Sequence, residues 1–390
     1  MSAISIRMYN VGFGDCFLVR VAGDGAERKI LFDCGSHPSG PGPWPIADVA
    51  RSIVDELGAH GTPRLDVIVA THRHADHISG FDPGIWSRVE VGEVWLPWVE
   101  DRDDPQAQRI RAAQQHLAAA LMANVKATRS NAATLELLAN ATSNDAASQL
   151  LLSGFAGNPI RRYLPVAGGP DTFASPVLPG ISVHVLGPSR DPAVIRDINP
   201  PNSQSYLASL GLDLPAGEDG RLLPFAGLGT QLDPAKLPKE LAAVADAAGF
   251  DQFDLAVALE DAINGTSLML VLEVGANVLL FPGDAQWGTW QVAMANRDWV
   301  NLLRRLTFLK VGHHGSHNAT PVEFVDKYLP HGIHAMCSTR HMDRWPRIPR
   351  APLLDALVAK GTDLIRSDQL AAAPRGYTVG PDRRWAELEL

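Results

Sequence analysis

Thr71-His72-Arg73-His74-Ala75-Asp76-His77 follows directly on the apolar run Leu65-Asp66-Val67-Ile68-Val69-Ala70. The run is short and rich in β-branched residues, so it reads as a buried strand. Three imidazoles and a carboxylate then fall on the loop at its C-terminal end. One loop aims four such side chains at a common point only if something attractive sits there. Neutral imidazole together with carboxylate suits Zn²⁺, Mn²⁺ or Fe. His72 and His74 alternate with the period of a strand. Asp76 and His77 come after a turn and suit a second ion.

Two later segments end in the same way. Leu279-Leu280-Phe281-Pro282-Gly283-Asp284 is an apolar strand running into a glycine and a carboxylate. Leu309-Lys310-Val311-Gly312-His313-His314-Gly315-Ser316 runs into a glycine, two histidines and another glycine. A Gly-Asp pair alone is usually a turn. Three strands ending in ligand-type residues, in this order, point to one crevice at the C-terminal ends of a parallel or mixed sheet.

With these segments together, the chain resembles the metallo-β-lactamase-like hydrolases, and among them the hydrolase domain of ComEC-type competence proteins. Asn10-Val11-Gly12-Phe13-Gly14-Asp15-Cys16 is similar to that branch's opening D-V-G-Q-G-D motif. Ile30-Leu31-Phe32-Asp33-Cys34-Gly35 resembles its second strand and turn, and Asn264-Gly265-Thr266-Ser267-Leu268 its N-N-x-S-L segment. Lys310 to Ser316 is similar to its K-V-G-H-H-G-S, and Pro349 through Asp368 to its C-terminal helix and strand. Asn10, Phe13 and Ile348 depart from the Asp, Gln and His usual there. These departures touch the outer substrate contacts rather than the metal core.

The resemblance implies an α/β fold, an αββα sandwich with a two-metal site at one edge between the sheets. It implies His72 and His74 on the first ion, Asp76, His77 and one of the paired histidines on the second, and Asp284 between them. His314 is read as the ligand and His313 as a substrate contact or proton donor. The family's third histidine for the first ion falls here on Asn264. An amide oxygen is a weaker, harder ligand than imidazole, so the first ion should be loosely held, with Mn²⁺ as plausible as Zn²⁺. Two ions about 3.5–4 Å apart lower the pKa of water and clamp an in-line displacement. Asp76 would orient that water. Ser316 and Thr266 are candidates to bind substrate oxygens, or equally to cap their own loops. The expected activity is that of a metal-dependent phosphodiesterase or nuclease. A lactonase or other ester hydrolase is the alternative, and a non-catalytic binding module the third. A basic mouth with Arg73, Lys310 and Arg340 would favour phosphate, and an apolar mouth the ester.

The rest of the chain bounds this reading. Its 390 residues are read as one domain, 1–390, with helical or irregular insertions at 103–152 and 192–254. Hydrophobic residues make up 46% and charged residues 20%, enough for a large core. A net charge of −9 argues against a broad electrostatic grip on nucleic acid, though not against a local basic groove. Cys16, Cys34 and Cys337 form no paired spacing, so free thiols and a reducing, cytoplasmic compartment are expected. No signal peptide is evident, and no apolar run approaches the roughly 18 residues of a membrane span. Residues 1–35 read as one hairpin turning near Gly23-Asp24-Gly25. Residues 46–57, 299–305 and 353–360 read as helices, and 375–390 as an added edge strand. Trp95 and Trp98 are expected in the core or a pocket wall, and His184 as a structural residue in mid-strand. The first insertion reads as two or three helices, the second as one helix near 238–248. Both insertions are expected to cap the site mouth or to form a homodimer surface.

Overall fold

The structure is a computed structural model, and it describes residues 3–390 apart from 24, 129–131, 143, 207–251 and 344. In chain order the strands are β1 (Ile4–Tyr9), β2 (Phe17–Ala22), β3 (Glu27–Phe32), β4 (Arg64–Val69), β5 (Glu90–Pro97), β6 (Ile160–Leu164), β7 (Thr172–Ala174) and β8 (Ile181–Gly187). They continue with β9 (Met269–Val274), β10 (Asn277–Phe281), β11 (Phe308–Lys310), β12 (His334–Cys337), β13 (Asp363–Arg366), β14 (Tyr377–Val379) and β15 (Trp385–Glu389). Among the described residues they form two sheets, ordered β14-β15-β1-β2-β3-β4-β5-β6 and β13-β12-β11-β10-β9-β8-β7. β3 to β6 run parallel in the first sheet and β10 to β13 in the second. The loops after β4, β10 and β11 therefore leave from C-terminal ends of parallel strands.

The hairpin expected over residues 1–35 is corrected to three antiparallel strands, β1, β2 and β3. The turn near residue 24 joins β2 to β3, and residues 10–16 interrupt what looked like a single first strand. Gly12 there has a φ of +86°, which L side chains rarely adopt. At the other end, β14 takes the sheet edge as expected, and β15 pairs with β1 inside it.

Side chains alternate across each strand, so one face of each sheet is free to meet the other. Ile4, Ile6, Phe17, Val19, Phe32, Val67 and Trp95 of the first sheet pack on Val183, Leu270, Leu272, Leu279, Phe281, Phe308 and Met336 of the second. The outer face of the first sheet lies under α1 (Ile46–Gly58), whose Val49, Ile53, Val54 and Leu57 recur at helical spacing. A helical insert follows β5 and resumes after β8. The insert helices are α2 (Pro105–Thr128), α3 (Ala132–Thr142) and α4 (Gln252–Asn264), which share a small core of Leu121, Leu137, Leu138, Leu259 and Ile263. The outer face of the second sheet is covered by α5 (Trp287–Ala295), α6 (Arg297–Leu303) and α7 (Ala351–Ala359), through Trp290, Leu303 and Leu353. The layers are thus helix, sheet, sheet, helix: an αββα sandwich.

α4 spans Gln252–Asn264, across the expected boundary at 254; the helix expected near 238–248 lies outside the described residues. Trp95 and Trp98 are fully buried. His184 bonds Thr172 and meets Glu273 across the sheet at 3.2 Å. The cysteines are free and buried. No helix among the described residues is long and apolar enough to cross a membrane.

The two sheets meet at an aromatic stack, where Phe32 lies 4.0 Å from Phe281 with the rings 9° from parallel. Phe281→Ala would empty that contact. It is expected to cost about 3–5 kcal/mol, read as a lower urea midpoint of the metal-free protein at unchanged slope.

Candidate metal centre

The site starts from Asp33, at the end of β3. Its carboxylate accepts from the Thr71 amide at 2.7 Å, the Thr71 hydroxyl at 2.8 Å and His77 Nδ1 at 2.8 Å. These bonds bind the loop after β4 to the neighbouring strand. Two glycines bring the chain against the same loop from the other side. A Cβ on Gly14 would stand 2.7 Å from the Asp76 carbonyl, and one on Gly35 2.4 Å from the His77 nitrogen. The backbone bonds Asp15 to Asp76 and Cys34 to His77 use that proximity. The glycines of N-V-G-F-G-D and D-C-G are therefore there for close backbone approach.

The ligand-type atoms converge in two sets. Asp76, His77, Asp284 and His314 form one, with His72, His74 and Asp76 the other, and within each set the atoms lie within 4.8 Å of one another. All of these residues are buried. His77 Nε2 stands 3.3 Å from Asp284 Oδ2, and His314 Nε2 3.2 Å from Asp76 Oδ2. His72 Nε2 stands 3.0 Å from His74 Nδ1. Asp76, rather than Asp284, belongs to both sets.

Tautomers follow from the outer bonds. His77 Nδ1 donates to Asp33, His314 Nδ1 donates to the Ser338 carbonyl at 3.0 Å, and His72 Nδ1 faces the Thr71 hydroxyl at 3.1 Å. Each of these rings is left with Nε2 pointing inward. His77 Nε2, Asp76 Oδ1 and Asp284 Oδ1 are buried with no hydrogen-bond partner among the described residues. Leaving such atoms unpaired is costly, and a cation between them removes the cost. The donor set, imidazole with carboxylate, fits a divalent transition ion.

Charge within the cluster is strongly perturbed. Burial works against ionised carboxylates, yet His77 and the other facing imidazoles hold Asp76 and Asp284 well below the usual range. Burial likewise opposes a proton on His77, but Asp284, Asp76 and Asp33 hold it well above the ordinary imidazole value. Burial, then the neighbouring His77 and His74, drive His72 well below it. A third set, Asp15, Asp33 and His77, also converges. Its cation is internal: Lys310 Nζ pairs with Asp15, donates to the Gly283 carbonyl at 3.2 Å and lies 3.6 Å from Asp284 Oδ1.

Several expected residues are placed otherwise. Lys310 is a buried counter-ion, not part of a basic mouth. Arg73 turns into the helical insert, where its guanidinium donates to Gln114 Oε1 at 2.7 Å. Arg340 is exposed. The Thr266 hydroxyl donates to the Ile263 carbonyl at 2.6 Å and so caps its own turn. Ser316 is buried beside the paired histidines, its amide bonded to the His313 carbonyl at 2.8 Å. Asn264 Oδ1 is buried without a hydrogen-bond partner among the described residues, and its Nδ2 lies 3.5 Å from His313 Nε2. His313 and His314 both hold left-handed backbone, φ +45° and +53°, a strained arrangement for non-glycine residues. That geometry separates the two rings. His314 is fully buried in the cluster, while His313 stays 18% exposed with Nε2 3.7 Å from Asp284 Oδ2.

The sequence reading missed Glu260. Its Oε2 lies 3.3 Å from His74 Nε2, from one turn before Asn264 on α4. The available signal was the four-residue spacing that puts both on one helix face. It also missed Arg350, which is 6% exposed, with Nε and Nη1 unpaired among the described residues.

Compared with known proteins, residues 9–83 match the sequence model of the metallo-beta-lactamase superfamily. That segment starts at the last residue of β1 and holds β2 to β4 and the whole H-x-H-x-D-H loop. The αββα sandwich around it is the metallo-β-lactamase fold. No curated protein matches the chain by sequence. Among solved structures, the metallo-beta-lactamase fold protein YhfI from Bacillus subtilis aligns at 8% identity and TM-score 0.40, covering 94% of this chain and 96% of its own. Zn(2+)-bound PqqB from Methylobacterium extorquens aligns at 10% identity and TM-score 0.40, covering 94% and 98%.

The paired histidines can be separated experimentally. His314→Ala is expected to lose an ion as well as activity. His313→Ala should keep its metal and lose turnover by roughly 10²–10⁴-fold if it passes a proton. Elemental analysis of both variants reads the result, and metal loss in His313→Ala alone would reverse the assignment.

Proposed function

We propose that the protein is a metal-dependent hydrolase acting on phosphodiesters. The observation that carries the metal reading is the convergence of buried, unpaired imidazole and carboxylate atoms from loops after β4, β10 and β11. His72, His74 and Asp76 would hold a first ion, and Asp76, His77, Asp284 and His314 a second. Zn²⁺ and Mn²⁺ both suit these donors. Such ions supply Lewis acidity and a more acidic water. His313, at the rim of the cluster, would give a proton to a leaving group.

The phosphodiester is favoured by Arg350. Its amide donates to the Gly315 carbonyl at 3.0 Å, next to His314, and its charge bears on His317. Burial, then Arg347, lowers the Arg350 guanidinium to about 10, and no carboxylate among the described residues offsets it. A buried guanidinium without a counter-ion calls for an anion. An apolar cluster of Phe13, Met342, Trp345 and Ile348 lies against the centre, with the Phe13 ring 4.3 Å from that of His314 at a tilt of 49°. A phosphodiester bearing an apolar or aromatic group uses both features. A lactone or other neutral ester uses the apolar cluster alone, which keeps ester hydrolysis as the second reading. With a net charge of −9 and one buried arginine, a short phosphodiester suits the site better than a long polyanion.

Metal-loaded protein should carry up to two transition ions and turn over bis-p-nitrophenyl phosphate in preference to a lactone, with single-stranded DNA tested alongside. Arg350→Ala should keep the metal and raise KM for the phosphodiester at least about tenfold, as loss of a charged hydrogen bond would. Protein that takes up no Zn²⁺ or Mn²⁺ would sink the metal reading. Lactone turnover indifferent to Arg350→Ala would move the assignment to ester hydrolysis.

A further inference from the structure

The helical insert is fastened to the metal loop itself. Gln114 of α2 accepts from Arg73 and donates to the Ala262 carbonyl of α4 at 3.2 Å. Asn144 Nδ2 donates to the Arg73 carbonyl at 2.9 Å. Asn140 of α3 accepts from the Asp76 amide through Oδ1 at 3.2 Å and donates through Nδ2 to Glu260 Oε2, also at 3.2 Å. Glu260 Oε2 then faces His74 Nε2 at 3.3 Å.

His74 is the exception among the four imidazoles. The other three anchor Nδ1 on an outer acceptor and turn Nε2 inward. His74 turns Nδ1 toward His72 Nε2 and leaves Nε2 outside, toward Glu260. A ring that ligates through Nδ1 carries its proton on Nε2 and needs an acceptor there. Glu260 belongs to neither converging ligand set, so it stands behind His74 rather than beside the ion. Its Oε1 and His74 Nε2 are buried without a hydrogen-bond partner among the described residues, with Oε2 3.3 Å from that nitrogen.

We propose that Glu260 is the positioning carboxylate that orients His74 toward the first ion, so that the helical insert is part of the metal centre. This rests on the metal reading above. Zinc titration of metal-free wild type, Glu260→Ala and Glu260→Gln against a competing chelator tests it, with a melting curve for each metal-free protein. Glu260→Ala should weaken the first-site ion about 10- to 100-fold and leave the second unchanged. Glu260→Gln, whose amide oxygen still accepts from His74, should recover most of that affinity. Gln as weak as Ala would overturn the positioning role in favour of direct ligation. A lower melting temperature with unchanged zinc affinity in Glu260→Ala would overturn it in favour of a structural one. Wild type that binds no zinc would fail the metal reading and this proposal together. Wild type that binds zinc, with both variants unchanged, would fail this proposal alone.

Discussion

Asp33 holds three donors at once, and the site depends on it. The Thr71 amide, the Thr71 hydroxyl and His77 Nδ1 all converge on one buried carboxylate at the end of β3. Those bonds decide where the loop after β4 starts and which nitrogen of His77 faces inward. Asp33 reaches them from left-handed backbone, φ +54°, a conformation that costs free energy and persists because its surroundings demand it. Burial raises the Asp33 carboxyl, and His77 opposes that shift. The folding of the first sheet and the electrostatics of the centre thus meet in one residue.

Around Asp33, close backbone approach replaces side-chain packing. Gly14 and Gly35 let the loop after β1 and the turn after β3 lie directly on Asp76 and His77. Gly283, with φ +55°, brings the turn after β10 against Thr71 and Ser267. Side chains at these positions would push the carboxylates apart. Lys310 then supplies the permanent cation among Asp15, Gly283 and Asp284, despite a burial that works against its charge. Asp15, Asp33, Asp76 and Asp284 could not all be ionised so deep in the protein without such compensation.

The insert helices add an outer layer. Their own core is small and their buried polar residues are directed at the metal loop. Gln114, Asn140 and Asn144 satisfy backbone or side-chain groups of Arg73 and Asp76 that would otherwise be buried unpaired. An insert with only a covering role would not need amides at these places.

The strands and their loops were legible in the sequence because each depends on local information. β-branched runs, the glycines after them, and the spacing of His72, His74, Asp76 and His77 all lie within a few residues of one another. The αββα sandwich followed from recognising several such runs together. Tertiary structure alone decided which charges oppose which. Lys310 was a candidate for a basic mouth, yet it is enclosed because Asp15, about three quarters of the chain away, folds onto it. Arg73 read as part of the mouth, but Gln114 draws it the other way. Asn140 and Glu260 are 120 residues apart, and no pattern along the chain relates them. Ligand spacing is a property of one loop, whereas the partners of a buried charge are set by whichever distant segments pack against it.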